Sequence, residues 1–281
     1  MKNGIIDVGS NSVRLLFDGK KYMNNTQLAE NLIHTGRLCE QAMERTAAAI
    51  EGFYRFCKEN GGEKVYAFAT EAVRAAKNGQ EFVRKVEKIG INLEILSPET
   101  EAKCGYLGAY SGIGTEGVLD IGGASSELAV GDRNGLLYAH SLPLGSVRLK
   151  DYAPDSEIQA EYAKNRVKEY GVVPHFDRLV AIGGTLSQIV AVMKELDPYD
   201  PERVHGTVLT KEDVKKTTKM ILSVPTEERI KIKGLHPKKL LVAPSGGVLA
   251  IAIMEYLGVE ELTVSEVDNL EGYAKLRNID T

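Results

Sequence analysis

The pattern of apolar and polar residues changes period several times along the chain. Near the start, two apolar runs, residues 4–8 and 12–17, flank the turn-forming segment Gly9-Ser10-Asn11, which predicts a β-hairpin. From about residue 41 to 58, apolar residues recur every three or four positions, which predicts an amphipathic helix. Strand-like and helical segments then alternate, and this alternation predicts an α/β fold.

The same two periods predict the remaining elements. Strands are expected at residues 64–69, 93–96, 178–182 and 262–264, with a strand and turn over 135–145. Helices are expected near residues 81–88, 157–170, 183–196, 211–222, 246–257 and 270–277.

The first hairpin has a second copy further along the chain. The segment Asp7–Ser12 recurs in pattern at Asp120–Ser125, an offset of 120 − 7 = 113 residues, and each copy leads into a second strand-like run. Two copies a domain's length apart predict two lobes related by pseudo-symmetry, with their glycine turns facing one another across a cleft. The expected division is 1–116 and 117–281, with a last helix, about 268–281, that can pack back on the first lobe.

A strand that ends in Asp and opens into a glycine turn suits the binding of an anion. Glycine lets consecutive backbone N–H groups point into one concavity, and a nearby hydroxyl adds a donor. The adjacent carboxylate can hold a hydrated divalent cation beside the bound phosphate. A single copy is common in tight hairpins, whereas two copies at strand ends favour a functional interpretation.

Composition restricts the kind of ligand and the compartment. The 281 residues carry a net charge of −4, so no global positive field holds a polyanion, and a phosphate-rich ligand must be held locally. Neither the three cysteines nor the five histidines are spaced as a metal site. The first residues lack the apolar stretch of a signal peptide, and no run of about 18 apolar residues occurs, so a cytoplasmic protein is expected.

Seven segments resemble the exopolyphosphatase/guanosine pentaphosphate phosphatase family, in the family's order and over nearly the whole chain. They are Ile6–Leu15, Ala69–Asn78, Leu96–Lys103, Asp120–Glu127, Ser141–Leu149, Gly183–Thr185 and Val204–Thr210. This family belongs to the actin-like ATPase superfamily, so the resemblance implies two actin-like (ribonuclease H-like) lobes with an active-site cleft between them. The chain resembles the short, two-domain exopolyphosphatases.

The resemblance also implies roles for individual residues. Glu101 would be the general base that takes a proton from the water attacking the terminal phosphoryl group. Asp120 and Glu127 would hold magnesium and help place that water, with Asp7 as their counterpart in the first lobe. Arg74 would pair with phosphate oxygens, a task that suits its rigid guanidinium fork.

The turns supply the remaining substrate-binding residues that the resemblance implies. These are Gly9, Ser10, Asn11, Ser12, Arg14, Gly122, Gly123, Ala124 and Ser125. The implied cofactor is Mg²⁺, with K⁺ as an optional activator. The implied partners are inorganic polyphosphate or guanosine phosphates, with a homodimer as an assembly to be tested. Nucleic acid is not expected, because no basic run with interleaved aromatic residues occurs, and no membrane is expected.

Simpler interpretations of the same residues stay open. Glu101 can serve only to complement a helix macrodipole, Arg74 can be a surface residue of a short helix, and Glu127 can face solvent. The turn at Gly183-Gly184-Thr185 can simply join a strand to a helix.

Other functions also stay open. The family's third turn glycine is Ala124 here, an arginine of a later family motif is Leu270, and the arginine of a first-lobe Arg-Leu-Gly segment has no clear match. These departures favour an alternative in which the chain senses polyphosphate or guanosine phosphates without turnover. An actin-like kinase is a third possibility.

Overall fold

The computed structural model describes residues 2–281 and separates them into two compact units. The first unit combines the chain up to Gly108 with the last segment, Asn269–Thr281. The second unit is the continuous segment Ala109–Asp268. Each unit contains its own sheet and its own apolar core.

Strands and helices alternate along the described part of the chain. The strands are β1 (Asn3–Val8), β2 (Ser12–Phe17), β3 (Lys20–Asn25), β4 (Lys64–Ala69), β5 (Leu93–Ile95), β6 (Glu116–Ile121), β7 (Ser126–Asp132), β8 (Gly135–Leu142), β9 (Arg178–Ile182), β10 (Val208–Thr210) and β11 (Glu261–Val264). The α-helices are α1 (Leu32–Thr35), α2 (Glu40–Glu59), α3 (Glu71–Ala75), α4 (Gly79–Glu87), α5 (Pro98–Ala109), α6 (Ser146–Tyr152), α7 (Ser156–Arg166), α8 (Gly184–Met193), α9 (Pro201–Val204), α10 (Lys211–Ser223), α11 (Val242–Leu257) and α12 (Asn269–Arg277). Short 3₁₀ segments occur at Val167–Tyr170, Thr226–Lys231 and Pro237–Lys239.

The sheet of the first unit has five strands in the order β3-β2-β1-β4-β5. The first three strands are antiparallel neighbours, whereas β1, β4 and β5 run parallel. Strand β1 is buried along its whole length, as its apolar residues require. The carboxyl ends of β1, β4 and β5 therefore meet at one edge, where the β1–β2 turn and the starts of α3 and α5 also lie.

The sheet of the second unit repeats this plan with one added strand. Its order is β10-β11-β9-β6-β7-β8, with β6, β7 and β8 antiparallel, β9 and β11 parallel to β6, and β10 antiparallel at the edge. Counted from β8, five strands follow the first unit's order. The protein is thus α/β with two units whose sheets share a strand order, as the duplicated hairpin predicted.

Several predicted boundaries were wrong. The helix expected at 157–170 ends at Arg166 and continues as a 3₁₀ turn, the helix expected to reach residue 196 ends at Met193, and the helix expected from 246 begins at Val242. In the last case Pro244 lies in the first turn, where a missing N–H breaks no helical hydrogen bond.

Two edge strands were missed because their sequences lack the alternation that marks a half-buried strand. Strand β3 is mostly exposed and polar, and β10 has only three residues. Within residues 2–281, no helix combines the length and the apolar character needed to span a bilayer.

Candidate active site

The β1–β2 turn presents backbone N–H groups that no other part of the described chain uses. Gly9 N donates to Ser12 O at 3.0 Å and closes the turn. The carbonyl of Asn11 accepts from Thr26 N at 3.0 Å and that of Ser10 from Ala29 N at 2.9 Å. Within residues 2–281, the backbone N–H groups of Ser10 and Asn11 donate to no protein acceptor. The Gly9 N–H and the carbonyls of Ser10 and Asn11 thus hold the turn, and the N–H groups of Ser10 and Asn11 remain available to a ligand.

The β6–β7 turn has the same construction. Gly122 N donates to Ser125 O, again at 3.0 Å. The carbonyl of Gly122 accepts from Ser146 N at 2.9 Å, and that of Gly123 accepts from the next two N–H groups of α6 at 2.8 and 3.0 Å. The N–H groups of Gly123 and Ala124 have no acceptor in the described part of the chain. Ala124, which departs from the family's glycine, is accommodated with this closure intact.

A glycine after β8 allows α6 to approach this turn. A Cβ atom on Gly145 would lie 2.5 Å from the Gly123 carbonyl oxygen and 2.7 Å from Ala124 N. A side chain there would push α6 away from the carbonyls that it caps. Both turns therefore have the form of an anion nest, in which adjacent N–H groups favour a phosphate oxygen.

In the second unit, three polar residues lie opposite one another on neighbouring strands. Asp120 on β6 pairs with Glu127 on β7, which in turn pairs with Ser141 on β8. Asp120 is 9% exposed and Glu127 is 3% exposed. The Ser141 hydroxyl donates to Glu127 Oε1 at 2.6 Å. Because like charges directly opposite on a sheet repel, two buried carboxylates in this register favour a bound cation.

The loop after β9 lies against the same carboxylates. Gly183 has φ of +81°, and a Cβ atom there would lie 2.3 Å from Asp120 Oδ1. The Thr185 hydroxyl donates to the carbonyl of Ile121 at 2.6 Å. The turn at Gly183-Gly184-Thr185 thus does more than join a strand to a helix, because it also fixes the end of β6.

The equivalent position of the first unit carries opposite charges. Asp7 on β1 pairs with Arg14 on β2, and Arg14 with Met23 on β3. Arg14 Nε donates to Asp7 Oδ2 at 3.0 Å, and its Nη2 bonds the same oxygen. Arg14 therefore occupies the register position that Glu127 holds in the second unit, and the charge of Asp7 is balanced within its own sheet.

The carboxylates of the second unit fit a site for a divalent cation. Among residues 2–281, no three His, Cys, Asp or Glu side chains form a metal-binding group. Magnesium usually binds through one or two carboxylates, several waters and substrate phosphates rather than through an all-protein cage. The Asp120–Glu127 pair beside a nest for phosphate supplies that donor set. Asp7 belongs to the first unit, and its predicted role as a metal ligand remains a prediction.

Glu101 lies in a buried ion-pair network at the edge of the first sheet. It is 5% exposed in the first turn of α5, and its Oε2 accepts from Arg74 Nη1 and Nη2, both at 3.0 Å. Arg74 on α3 also donates to Glu71 Oε2 at 2.9 Å and to the carbonyl of Leu96. Arg74 is thus not a free surface residue, and it fixes the carboxylate of Glu101 against the ends of β4 and β5.

The cysteine of α5, Cys104, is a poor candidate for a nucleophile. Burial raises the pKa of Cys104 to about 12, with the carboxylates of Asp7 and Glu101 adding to the effect and Arg277 opposing it. Since the thiolate is the reactive form, burial disfavours Cys104 as a nucleophile.

The structure groups the predicted residues by unit. The first unit contains Asp7, Gly9, Ser10, Asn11, Ser12, Arg14, Arg74 and Glu101, and the second contains Asp120, Gly122, Gly123, Ala124, Ser125 and Glu127. Sequence reasoning missed Glu71 and Ser141. Glu71 precedes Arg74 by one helical turn, and this spacing in the sequence predicts an ion pair. Ser141 lies opposite Glu127 in the β7–β8 register, which the sequence would reveal only if these two strands were first paired as a hairpin.

Comparison with known proteins finds relatives that match most of the chain. The chain is 28% identical to a bifunctional 3-dehydroquinate synthase/phosphatase of Fusobacterium nucleatum, over 95% of the chain and 45% of that protein. It is 24% identical to exopolyphosphatase 2 of Mycobacterium tuberculosis, over 96% of both proteins. It is 29% identical to a guanosine-5'-triphosphate,3'-diphosphate pyrophosphatase of Aeromonas salmonicida, over 92% of the chain and 56% of that protein. The chain thus spans about half the length of two of these relatives.

A solved structure covers the whole chain. The crystal structure of the Aquifex aeolicus member of the Ppx/GppA family superposes with a TM-score of 0.80 at 30% identity, over 100% of this chain and 99% of that one. The model of the Ppx/GppA phosphatase family matches residues 6–274, which include every residue of the site described above. The chain therefore belongs to the Ppx/GppA phosphatase family.

Proposed function

We propose that the protein hydrolyses the terminal phosphoanhydride bond of inorganic polyphosphate, releasing orthophosphate, with guanosine pentaphosphate as a second substrate. The observation that carries the proposal is the duplicated turn, in which carbonyls are bonded and adjacent N–H groups remain available beside an aspartate. The relatives named for exopolyphosphatase and guanosine-phosphate activities support the choice of substrates.

Binding in this proposal relies on local donors. The nests at Gly9–Ser12 and Gly122–Ser125 would hold phosphoryl oxygens through backbone N–H groups, with Ser10, Ser12 and Ser125 adding hydroxyls. Because the chain has a net charge of −4, such local donors matter more than any overall attraction of a polyanion. Phosphoryl transfer depends mainly on positioning and on neutralising charge, so little covalent help from the protein is needed.

Glu101 would act as the general base toward the attacking water. The two hydrogen bonds from Arg74 hold the orientation of the Glu101 carboxylate. Glu71 shares the same guanidinium group, so the positive charge of Arg74 is divided between two carboxylates. The fixed orientation suits a carboxylate that must accept a proton from one direction, and sharing the guanidinium with Glu71 limits the loss of basicity that an ion pair causes.

A divalent cation, which we take to be Mg²⁺, would neutralise charge on the phosphoryl oxygens. K⁺ would be an additional activator. Asp120 and Glu127 would hold it, and Gly183 leaves the space that the carboxylate of Asp120 occupies. Arg14 and Arg74 add positive charge near the nest of the first unit, although each is already bonded to a carboxylate.

Phosphate release from polyphosphate in the presence of Mg²⁺ tests the proposal. Glu101→Gln keeps the shape of the side chain but removes the base, so kcat should fall about 10²- to 10⁴-fold with KM little changed. Glu99→Gln is the matched control, because Glu99 lies in the same helical turn but is exposed. Equal activity of wild type and Glu101→Gln would remove Glu101 from the mechanism, and no release by the wild-type protein would reject the proposed reaction.

The engaged arginines favour a second candidate function, binding without turnover. Since Arg14 and Arg74 already pair with Asp7, Glu71 and Glu101, a phosphate must compete for them, which weakens charge neutralisation on the reacting group. Calorimetry with short polyphosphates and guanosine phosphates would support a sensor if heat of binding appeared without phosphate release. Multiple turnovers per protein molecule would exclude it.

A further inference from the structure

Ser141 lies in line with the two opposed carboxylates of the second unit, Asp120 and Glu127. Residues directly opposite on antiparallel strands share one face of the sheet, so Asp120, Glu127 and Ser141 project to the same side. The 2.6 Å contact from Ser141 Oγ to Glu127 Oε1 is in the range of hydrogen bonds to an ionised carboxylate. Such bonds are about twice as strong as neutral ones.

This hydrogen bond fixes a side chain that otherwise has freedom to rotate. A glutamate has three side-chain torsions, and only some of its rotamers direct a carboxylate oxygen toward Asp120. By bonding one oxygen of Glu127, Ser141 selects among those rotamers. Ligands of bound metals generally have such partners, and loss of one typically weakens metal affinity 10- to 100-fold.

The first unit lacks this arrangement at the equivalent position. There the strand residue opposite Arg14 is Met23, which offers no hydrogen-bond donor. The hydroxyl is therefore present in the sheet that carries two opposed carboxylates and absent from the sheet in which an arginine replaces the second carboxylate.

We propose that Ser141 is a positioning residue that holds the carboxylate of Glu127 in its cation-binding orientation. This inference rests on the proposed function, because it takes Asp120 and Glu127 as the residues that hold the divalent cation. Ser141 itself acts through Glu127 and need not touch the substrate.

Mn²⁺ binding without substrate tests the inference. Titration of the full chain with Mn²⁺ alone, followed by the electron paramagnetic resonance signal of the free ion, should show a Kd about 10- to 100-fold weaker for Ser141→Ala. Ser141→Cys, a weaker donor, should show a similar loss, whereas Ser141→Thr should restore affinity to within about threefold because it keeps the hydroxyl. In phosphate-release assays, the loss should appear as a higher Mg²⁺ requirement and be largely recovered at saturating metal.

Ser126→Ala is the control for general loosening of the sheet. Ser126 is a fully buried serine on β7, its hydroxyl bonds Tyr170, and strand alternation places it on the opposite face from Glu127. It should lower Tm while leaving the Mn²⁺ Kd unchanged. The inference is overturned if Ser141→Ala binds Mn²⁺ as wild type does, if Ser126→Ala weakens binding equally, or if wild type binds no Mn²⁺. If Mn²⁺ binding depends on Ser141 but polyphosphate is not cleaved, the proposed function fails and this inference stands.

Discussion

At the scale of single residues, the absence of a side chain at Gly183 allows the backbone to approach Asp120 closely. Its φ of +81° with ψ of 173° belongs to a region essentially restricted to glycine, which costs an ordinary residue roughly 1–3 kcal/mol. The same position also has no room for a side chain, since a Cβ would lie 2.3 Å from Asp120 Oδ1. Backbone conformation and space thus both require glycine beside the carboxylate.

Gly183→Ala should therefore displace the carboxylate of Asp120. We expect Mn²⁺ affinity to fall at least about tenfold, because ligand orientation controls metal binding, and stability to fall by more than the roughly 1–3 kcal/mol of backbone strain. Mn²⁺ titration and urea unfolding measure the two effects.

Gly258→Ala separates strain from displacement. Gly258 ends α11 with φ of +67°, and no atom lies within 4 Å of a Cβ placed there. This control should lose only the cost of a left-handed helical residue, roughly 1–2 kcal/mol, and keep wild-type Mn²⁺ affinity. If Gly183→Ala matched it in both measurements, Asp120 would not depend on the close approach of this loop.

The residue scale also shows where reasoning from sequence was limited. The hairpin turn fixes the register in which Val8 pairs with Val13 and Asp7 with Arg14, yet the sequence interpretation assigned Asp7 to the metal and Arg14 to the substrate separately. The pairing of their charges follows from a register that only the turn geometry defines. Similarly, the burial of Glu101 depends on α3 lying beside α5, which no local pattern specifies.

At the scale of elements, α12 packs on α5, the helix that carries Glu101. Gly272 lies so close to α5 that a Cβ would be 1.7 Å from the carbonyl oxygen of Cys104. Lys275 Nζ donates to the carbonyl of Leu107 at 2.7 Å near the end of α5. Close approach and a cation at the last turn together fix α5 along its length.

Gly272→Ala should destabilise the protein even though alanine has the higher helix propensity. The added methyl group meets backbone rather than a flexible side chain, so the helices must move apart, at a cost of about 1–3 kcal/mol. Gly52→Ala in α2 is the matched control, because no atom lies within 4 Å of the added Cβ. It should stabilise the protein by roughly 0.5–1 kcal/mol.

Urea midpoints of the two alanine variants should therefore shift in opposite directions. A higher midpoint for both would mean that α12 does not pack as tightly on α5 as the structure indicates. A fall in kcat of Gly272→Ala at saturating polyphosphate would additionally link the position of α5 to the function of Glu101.

Elements with a strong period were the most predictable. Apolar periodicity gave α2 within one residue at each end, and runs of apolar and β-branched residues gave β1, β2 and β4. Strand β3 escaped because its stability comes from hydrogen bonding to β2 rather than from burial of its own side chains. Edge elements of this kind are specified by their neighbours, which a local pattern does not contain.

At the scale of the whole molecule, the two units differ in how the chain builds them. The second unit is continuous, and its apolar core lies entirely between Leu119 and Val264. The first unit is discontinuous, because α12 returns to it from the end of the chain. There Tyr273 stacks on Phe68 with ring centroids 4.6 Å apart, and Leu270 is fully buried.

This difference predicts the behaviour of separate fragments. Residues 109–268 alone should fold and unfold cooperatively on heating, because that segment contains its own sheet and core.

Residues 1–108 alone should expose the apolar face formed by Ile5, Leu16 and Phe68, which α12 covers in the complete chain. That fragment should bind a hydrophobic dye and lack a sharp unfolding transition. Joining residues 269–281 to it through a flexible linker should restore the transition, since Leu270 and Tyr273 then regain their partners. Circular dichroism melts of the three fragments measure these outcomes, and a cooperative transition of residues 1–108 at the same temperature with and without the added segment would show that α12 is dispensable for the first unit.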